Sequence, residues 1–102
     1  MRSNEVRRTL RSGRPLHGGR VVVFVAPGSG QMAVIAARRI GGAVERNRAR
    51  RVLRTAWREV APDVGAGHDI VLVAREAIRS AKTQDLVAEM KELLRRGELV
   101  RG

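Results

Sequence analysis

A stretch of 24 residues from Ala37 to Val60 carries eight arginines and only two acidic residues. Apolar residues recur within it at helical spacing, which predicts a helix that begins near Glu45 or Arg46 and buries one face. That face comprises Ala49, Val52, Leu53, Ala56 and Val60, with Trp57 beside it. The fold must therefore cover one side of this helix and leave a row of guanidinium groups on the other side.

The arginine row has two interpretations. A solvated surface helix explains a run of charge, but such helices usually interleave acidic and basic residues. No acidic residue lies between Arg46 and Arg58, and arginines four residues apart repel each other by a few tenths of a kcal/mol. Arginine also suits bidentate contact with phosphate. The pattern therefore favours an external anion as the partner of this face.

The distribution of charge along the chain supports a polyanion as that partner. The net charge is +11 and the isoelectric point is near 11.9. Residues 1–60 hold 14 arginines against three glutamates, whereas residues 61–102 hold seven basic and seven acidic residues. Because the excess lies in one part of the chain, it predicts a binding face rather than a uniformly basic surface.

Several classes of function find no support in the sequence. The chain has no cysteine, which excludes disulfides and thiolate chemistry. Its longest apolar runs, Val21 to Ala26 and Ile70 to Ala74, are too short to span a membrane, and the N-terminus lacks a signal-peptide pattern. His17 and His68 are predicted to be exposed loop residues. We therefore expect a cytoplasmic protein with no membrane partner, no obligate protein partner, no catalytic side chain and no metal site.

The order of predicted elements indicates a single α+β domain over residues 1–102. Ser3 and Asn4 are N-cap candidates for a first helix that stops at Gly13, and Thr83 is the candidate cap of the last. In the last helix, Glu89 and Glu92 are expected to face Arg95 and Arg96. The remaining predictions are a loop over Arg14 to Gly19, a hairpin of strands Arg20 to Ala26 and Met32 to Ala37, a very short strand at Ala43-Val44, and a buried strand over Asp69 to Ala74. This order predicts a two-layer α/β sandwich with a small mixed sheet, whose βαβ unit would by default be right-handed.

The motif Gly-x-Ala-Val-x-Arg-Asn-Arg-x-x-Arg-x-x-Arg-x-x-x-Arg, which runs from Gly41 or Gly42 through Arg58, resembles the signature of the bacterial ribonuclease P protein component. Arg38-Arg39 match the basic pair that precedes the family block, and Arg46-Asn47-Arg48 match its core. The run Asp69 to Arg75 is similar to the family's late strand and the arginine after it. The resemblance covers nearly the whole chain.

This resemblance implies a ribosomal protein S5 domain 2-like fold with a left-handed βαβ crossover. It also implies a protein subunit of an endoribonuclease that removes the 5′ leader of precursor tRNA, with catalysis carried by an RNA subunit and Mg²⁺ held mainly by that RNA. The implied partners are the catalytic RNA and precursor tRNA. A ribosomal-type structural RNA-binding protein is the alternative.

The resemblance also implies which residues carry the function. The catalytic RNA would contact the basic pair and the arginine helix: Arg38, Arg39, Arg46, Asn47, Arg48, Arg50, Arg51, Arg54 and Arg58. The leader would occupy a cleft formed by the sheet and the first helix, with Val6, Leu10 and Phe24 as candidate contacts. Many family members have phenylalanines where this chain has Val6 and Leu10, and aromatic stacking contributes roughly 1–3 kcal/mol per base. We therefore expect this cleft to bind a single strand less tightly than a cleft that has phenylalanines at these two positions.

Overall fold

The computed structural model describes residues 1–100. Its order is helix, three strands, helix, strand and helix, with short 3-10 turns at Arg38–Ile40, Ala61–Asp63 and Glu76–Ser80. The elements are α1 (Ser3–Ser12), β1 (Arg14–His17), β2 (Val21–Pro27), β3 (Met32–Ile35), α2 (Ala43–Val60), β4 (His68–Ala74) and α3 (Thr83–Arg96). The predicted α+β class is confirmed.

The four strands form one mixed sheet in the order β1-β2-β4-β3. β2 is antiparallel to both β1 and β4, and β3 is parallel to β4. The inner position of β4 explains its apolar composition, since Val71 and Leu72 point to opposite faces and both are completely buried. The prediction of a buried strand over Asp69 to Ala74 is therefore confirmed.

The main core lies between one face of the sheet and the helices α2 and α3. α2 contacts β3 and β4, α3 contacts β1 and β2, and the two helices pack against each other. The predicted apolar faces of both helices are buried there: Ala49, Val52, Leu53, Ala56, Trp57 and Val60 from α2, and Leu86, Val87, Met90, Leu93 and Leu94 from α3. Burial of this aliphatic area provides most of the folding free energy.

Within residues 1–100, α1 is the one helix that packs on the second face of the sheet. Because side chains alternate along a strand, Val22 and Phe24 lie opposite the core residues Val21, Val23 and Val25. Strand register places Pro15, Phe24, Val71 and Ala33 in one row across this face, and His17, Val22, Val73 and Ile35 in the next. α1 contacts β2 and β4, and this packing covers part of the two rows.

The predicted hairpin between β2 and β3 is wrong, because β4 lies between these strands. The turn that follows β2 is held by Asp69, whose Oδ1 accepts hydrogen bonds from the backbone N–H groups of Ser29, Gly30 and Gln31 at 3.1, 3.2 and 3.0 Å. A side chain at Gly28 would collide with the same carboxylate. The turn therefore packs on β4 and directs β3 to its far side.

Two further segments differ from their predicted structures. The predicted loop over Arg14 to Gly19 contains β1, whose pairing with β2 and whose inward Leu16 make it an edge strand. Ala43 and Val44 form the first turn of α2 rather than a short strand. Gly41 adopts a φ of 142°, a conformation that side-chain-bearing residues rarely adopt, and this lets the chain turn directly into the helix.

The predicted caps and one ion pair also differ. The residue that precedes α1 is Arg2 rather than Ser3 or Asn4. The N-cap of α3 is Lys82 rather than Thr83, and the Asp85 carboxylate accepts the Lys82 N–H at 2.8 Å. Glu89 pairs with Arg20 rather than with Arg95 or Arg96, and its Oε2 accepts the backbone N–H groups of Arg20 and Val21 at 2.9 and 3.0 Å. Glu89 thereby ties α3 to the start of β2.

Candidate nucleic-acid interface

The outer side of α2 presents a continuous polar row opposite its buried face. The row consists of Asn47, Arg51, Arg54 and Arg58, and all four side chains are exposed. Residues spaced by three or four positions lie on one face of a helix, and the span from the first to the last is about 16 Å at 1.5 Å per residue. This length matches several successive phosphates of a polynucleotide backbone, which lie a few ångströms apart.

The arginines at the flanks of α2 are more buried than those of the outer row. Arg48 donates to the carbonyl oxygens of Ile78, Arg79 and Ala81 at 3.3, 3.5 and 2.5 Å, which holds the 3-10 turn Glu76–Ser80 against α2. The sequence grouped Arg48 with the phosphate contacts, but its guanidinium is occupied by the protein itself. Arg50 donates to Asn47 Oδ1 at 2.9 Å.

Arg46 lies in the first turns of α2 and is half-buried. Its Nε is buried without a hydrogen-bond partner among residues 1–100. An unpaired buried donor carries a free-energy cost, so this guanidinium gains most from an acceptor that arrives from outside. Arg46 therefore remains a candidate RNA contact at the positive end of the helix.

The basic pair Arg38 and Arg39 lies where strands β3 and β4 end. Both side chains are exposed on the 3-10 turn Arg38–Ile40, which contacts the turn Glu76–Ser80. Arg75 follows β4 at the same edge and donates to the Gly18 carbonyl at 3.3 Å. The carboxyl ends of these parallel strands therefore bring together arginines that are far apart in sequence.

Every ion pair within residues 1–100 involves a residue of α3. Within residues 1–100, the salt bridges join Arg20 to Glu89 and Glu92 to both Arg95 and Arg96. The hydrogen bond from Arg95 lowers the pKa of the Glu92 carboxyl and raises the pKa of Arg95. No arginine of α1 or α2 has an acidic partner in this part of the chain. The charge of the exposed arginines on these two helices is thus available to an external anion.

The three predicted cleft residues border the second face of the sheet. Val6 and Leu10 are half-buried on α1, where Thr9 is the buried residue facing the sheet. Phe24 lies on that face of β2, outside the main core, and is half-buried. Phe24 therefore lies on the face of the sheet where the cleft is predicted, and its contact with the leader stays a prediction.

A recess of about 460 Å³ opens on the same face, toward the edge that carries the basic pair. Val22 and Val73 contribute apolar surface to it, and His17, Arg39 and Arg75 also line it. The sequence predicted His17 to lie in a loop and did not identify it as a residue that lines this recess. The signal was the alternation along Arg14–His17, in which Leu16 points inward and its neighbours point outward.

Two kinds of feature are absent from residues 1–100. In that range no helix has the length and apolar character needed to cross a bilayer. Over the same residues, no group of three or more His, Cys, Asp or Glu side chains is arranged to hold a metal ion. The buried carboxylate of Asp69 is already used by three backbone N–H groups.

Comparisons with known proteins agree with this geometry. The family model described as Ribonuclease P matches residues 1–98. The ribonuclease P protein component of Roseiflexus castenholzii is 35% identical over 96% of this chain and 84% of its own length, and that of Chloroflexus aurantiacus is 36% identical over 97% and 76%.

Solved structures show the same fold. The ribonuclease P protein of Staphylococcus aureus superposes with a TM-score of 0.81 at 16% identity, covering 99% of this chain and 95% of that one. The Thermotoga maritima protein gives 0.79 at 20% identity, covering 100% and 97%.

Proposed function

The chain belongs to the ribonuclease P protein family, and we propose that it is the RNA-binding subunit that assists removal of the 5′ leader from precursor tRNA. The observation that carries this proposal is the outer row of α2. Its three arginines are exposed, lie on one face and have no acidic partner within residues 1–100. A rigid row of this kind fits the backbone of a structured RNA, for which the catalytic RNA subunit is the proposed partner.

The second face of the sheet is the proposed site for the leader. A single strand needs apolar or aromatic surface for its bases and cationic groups for its phosphates. The apolar and aromatic surface would come from Val22 and Val73 in the recess and from Phe24 in the neighbouring row of the same face. The cationic groups would be Arg39 and Arg75 at the edge of the recess. The proposed cleft therefore lies on the opposite side of the sheet from α2, so one protein molecule can contact catalytic RNA and leader together.

In this proposal the protein positions RNA and offsets repulsion between phosphates. Mg²⁺ bound by the RNA would stabilise the charge that develops during phosphodiester hydrolysis. This chain's own residues would bind the catalytic RNA, orient the leader and raise the affinity for precursor tRNA. The expected effect is greatest at low Mg²⁺, where fewer cations are available to screen the phosphates.

The test is reconstitution with a bacterial ribonuclease P RNA and a precursor tRNA at low Mg²⁺. We expect 5′-leader cleavage above the rate of the RNA alone, with an affinity gain that grows with leader length until the cleft is filled. A precursor with a one-nucleotide leader is the matched control.

Two results would contradict the proposal. The first is an absence of stimulation by a folded protein that binds other structured RNAs tightly, which would favour the ribosomal-type alternative. The second is stimulation that is the same for long and short leaders, which would remove the cleft from the account.

A further inference from the structure

The outer face of α1 carries a second arginine stripe that the proposed function does not use. The stripe consists of Asn4, the adjacent pair Arg7-Arg8, and Arg11, which lie within three or four positions of one another along the helix, and all four are exposed. Thr9, on the opposite side of the helix, is buried against the sheet. The stripe therefore points directly away from the sheet, whereas Val6 and Leu10 lie to one side of it.

The two arginine helices share a sequence pattern. Residues 4–11 read Asn-Glu-Val-Arg-Arg-Thr-Leu-Arg, and residues 47–54 read Asn-Arg-Ala-Arg-Arg-Val-Leu-Arg. Asparagine, three arginines and leucine coincide in the two octets. In each, a β-branched residue and the leucine turn toward the protein, and the arginines turn away or to the flank. The chain thus presents one kind of basic face twice.

These two faces lie on opposite sides of the molecule. α2 packs on the core face of the sheet, and α1 packs on β2 and β4 from the other face. Because the sheet lies between the two helices and each stripe faces away from it, the stripes point in opposite directions. One straight RNA segment therefore cannot contact both stripes.

Charge complementarity identifies the kind of partner that suits the α1 stripe. Within residues 1–100 the ion-paired arginines are Arg95 and Arg96, which share Glu92, and Arg20, which pairs with Glu89. The α1 stripe has no such partner in that range, and Glu5 lies on its flank without an ion pair to it. Adjacent arginines with a free planar fork suit the phosphates of a polynucleotide.

We propose that the outer face of α1 binds a second RNA backbone, so that one protein molecule bridges two separate RNA segments. This inference rests on the proposed role of α2 as the first RNA-binding face. The α1 contacts are electrostatic and independent of sequence, because a stripe of arginines on an outer face reads phosphates rather than base edges. Their strength falls steeply with salt.

The test uses the full-length protein and a short RNA duplex, with masses of the complexes measured by analytical ultracentrifugation. Three triple variants are compared with the unchanged protein: R7A/R8A/R11A on α1, R51A/R54A/R58A on α2, and K91A/R95A/R96A on α3. Each removes the same charge, and the last removes it from a face where Glu92 already pairs with two of the three bases. Melting temperatures confirm that each variant is folded.

We expect the unchanged protein and the α3 variant to bind two duplexes per protein monomer at low salt. The α1 variant should bind one duplex and lose the second binding step. In the unchanged protein, that second step should contribute about 2–3 units of log–log salt slope, as expected for three phosphate contacts. One duplex on the unchanged protein, or two on the α1 variant, would overturn the inference. If the unchanged protein binds one duplex and the α2 variant none, the bridging inference fails while the proposed role of α2 stands.

Discussion

Arg48 and Arg51 are three residues apart on the same helix and have different surroundings. Arg48 is half-buried and donates to three carbonyl oxygens of the segment that follows β4. Arg51 is exposed and makes no side-chain hydrogen bond within residues 1–100. Both arginines lie in the same arginine-rich segment, so the sequence placed both among the predicted RNA contacts. The difference arises from the position of the turn Glu76–Ser80, which only the fold reveals.

This difference predicts that two alanine substitutions affect different properties, one the stability of the protein and the other its binding of RNA. Arg48→Ala should lower the free energy of unfolding by about 1–3 kcal/mol, because it removes the hydrogen bonds that hold the segment after β4 against α2. Arg51→Ala should change it by no more than about 0.5 kcal/mol but weaken RNA binding. Urea unfolding and RNA titration of both variants provide the measurement. Equal stability of the two variants would contradict the structural role of Arg48.

Asp69 is the residue that most directly determines the order of the strands. A single oxygen of its carboxylate accepts three backbone N–H groups of the turn between β2 and β3. Asp69→Ala should destabilise the protein by about 2–3 kcal/mol, since hydrogen bonds to a charged acceptor are strong. Asp69→Asn keeps an oxygen at this position and should cost less. Equal losses for the two variants, measured by urea unfolding, would show that the hydrogen bonds do not account for the effect.

At the scale of elements, the helices and strands with a strongly periodic sequence were predicted correctly. Features that depend on contacts between residues distant in sequence were not. The buried faces of α2 and α3 follow from apolar spacing within each helix, and the strands β2 and β4 follow from β-branched runs. β1 was missed because four residues that include Pro15 and Arg14 have no strand composition of their own. The hairpin was wrong because the contacts that place β3 join residues about 40 positions apart.

The connection between α3 and β2 depends on Glu89, which neither helix spacing nor strand pattern could reveal. Glu89 is mostly buried and accepts two backbone N–H groups at the start of β2. Glu89→Ala should therefore cost about 2 kcal/mol of unfolding free energy. Glu92→Ala on the same helix removes an exposed ion pair and should cost less than about 1 kcal/mol. A comparable loss for both variants in urea unfolding would contradict this account.

The cleft between α1 and the sheet gives a prediction about substrate. Replacing Val6 and Leu10 with phenylalanine should tighten binding of precursor tRNA, because each stacked base contributes roughly 1–3 kcal/mol. The affinity for mature tRNA, which lacks the leader, should stay unchanged. Binding titrations with both RNAs and a melting curve of the variant test this. An unchanged precursor affinity in a folded variant would remove Val6 and Leu10 from the cleft.

At the scale of the whole molecule, the excess positive charge and the elements that close the core come from different parts of the chain. The first 60 residues carry the entire excess of positive charge, and they form α1, the first three strands and α2. The last part of the chain is electrically balanced and supplies β4 and α3, which close the core. The sequence predicted this division from composition, but the placement of the arginine helices on opposite faces of the sheet required the structure.

The central claim is that α2 uses one face for the core and the other for RNA. The most direct test measures the salt dependence of catalytic-RNA binding, together with urea unfolding, for the variant R51A/R54A/R58A. We expect the log–log slope to fall by about 2–3 units while the free energy of unfolding stays within about 1 kcal/mol of the unchanged protein. A slope equal to that of the unchanged protein, in a variant that is fully folded, would contradict the account.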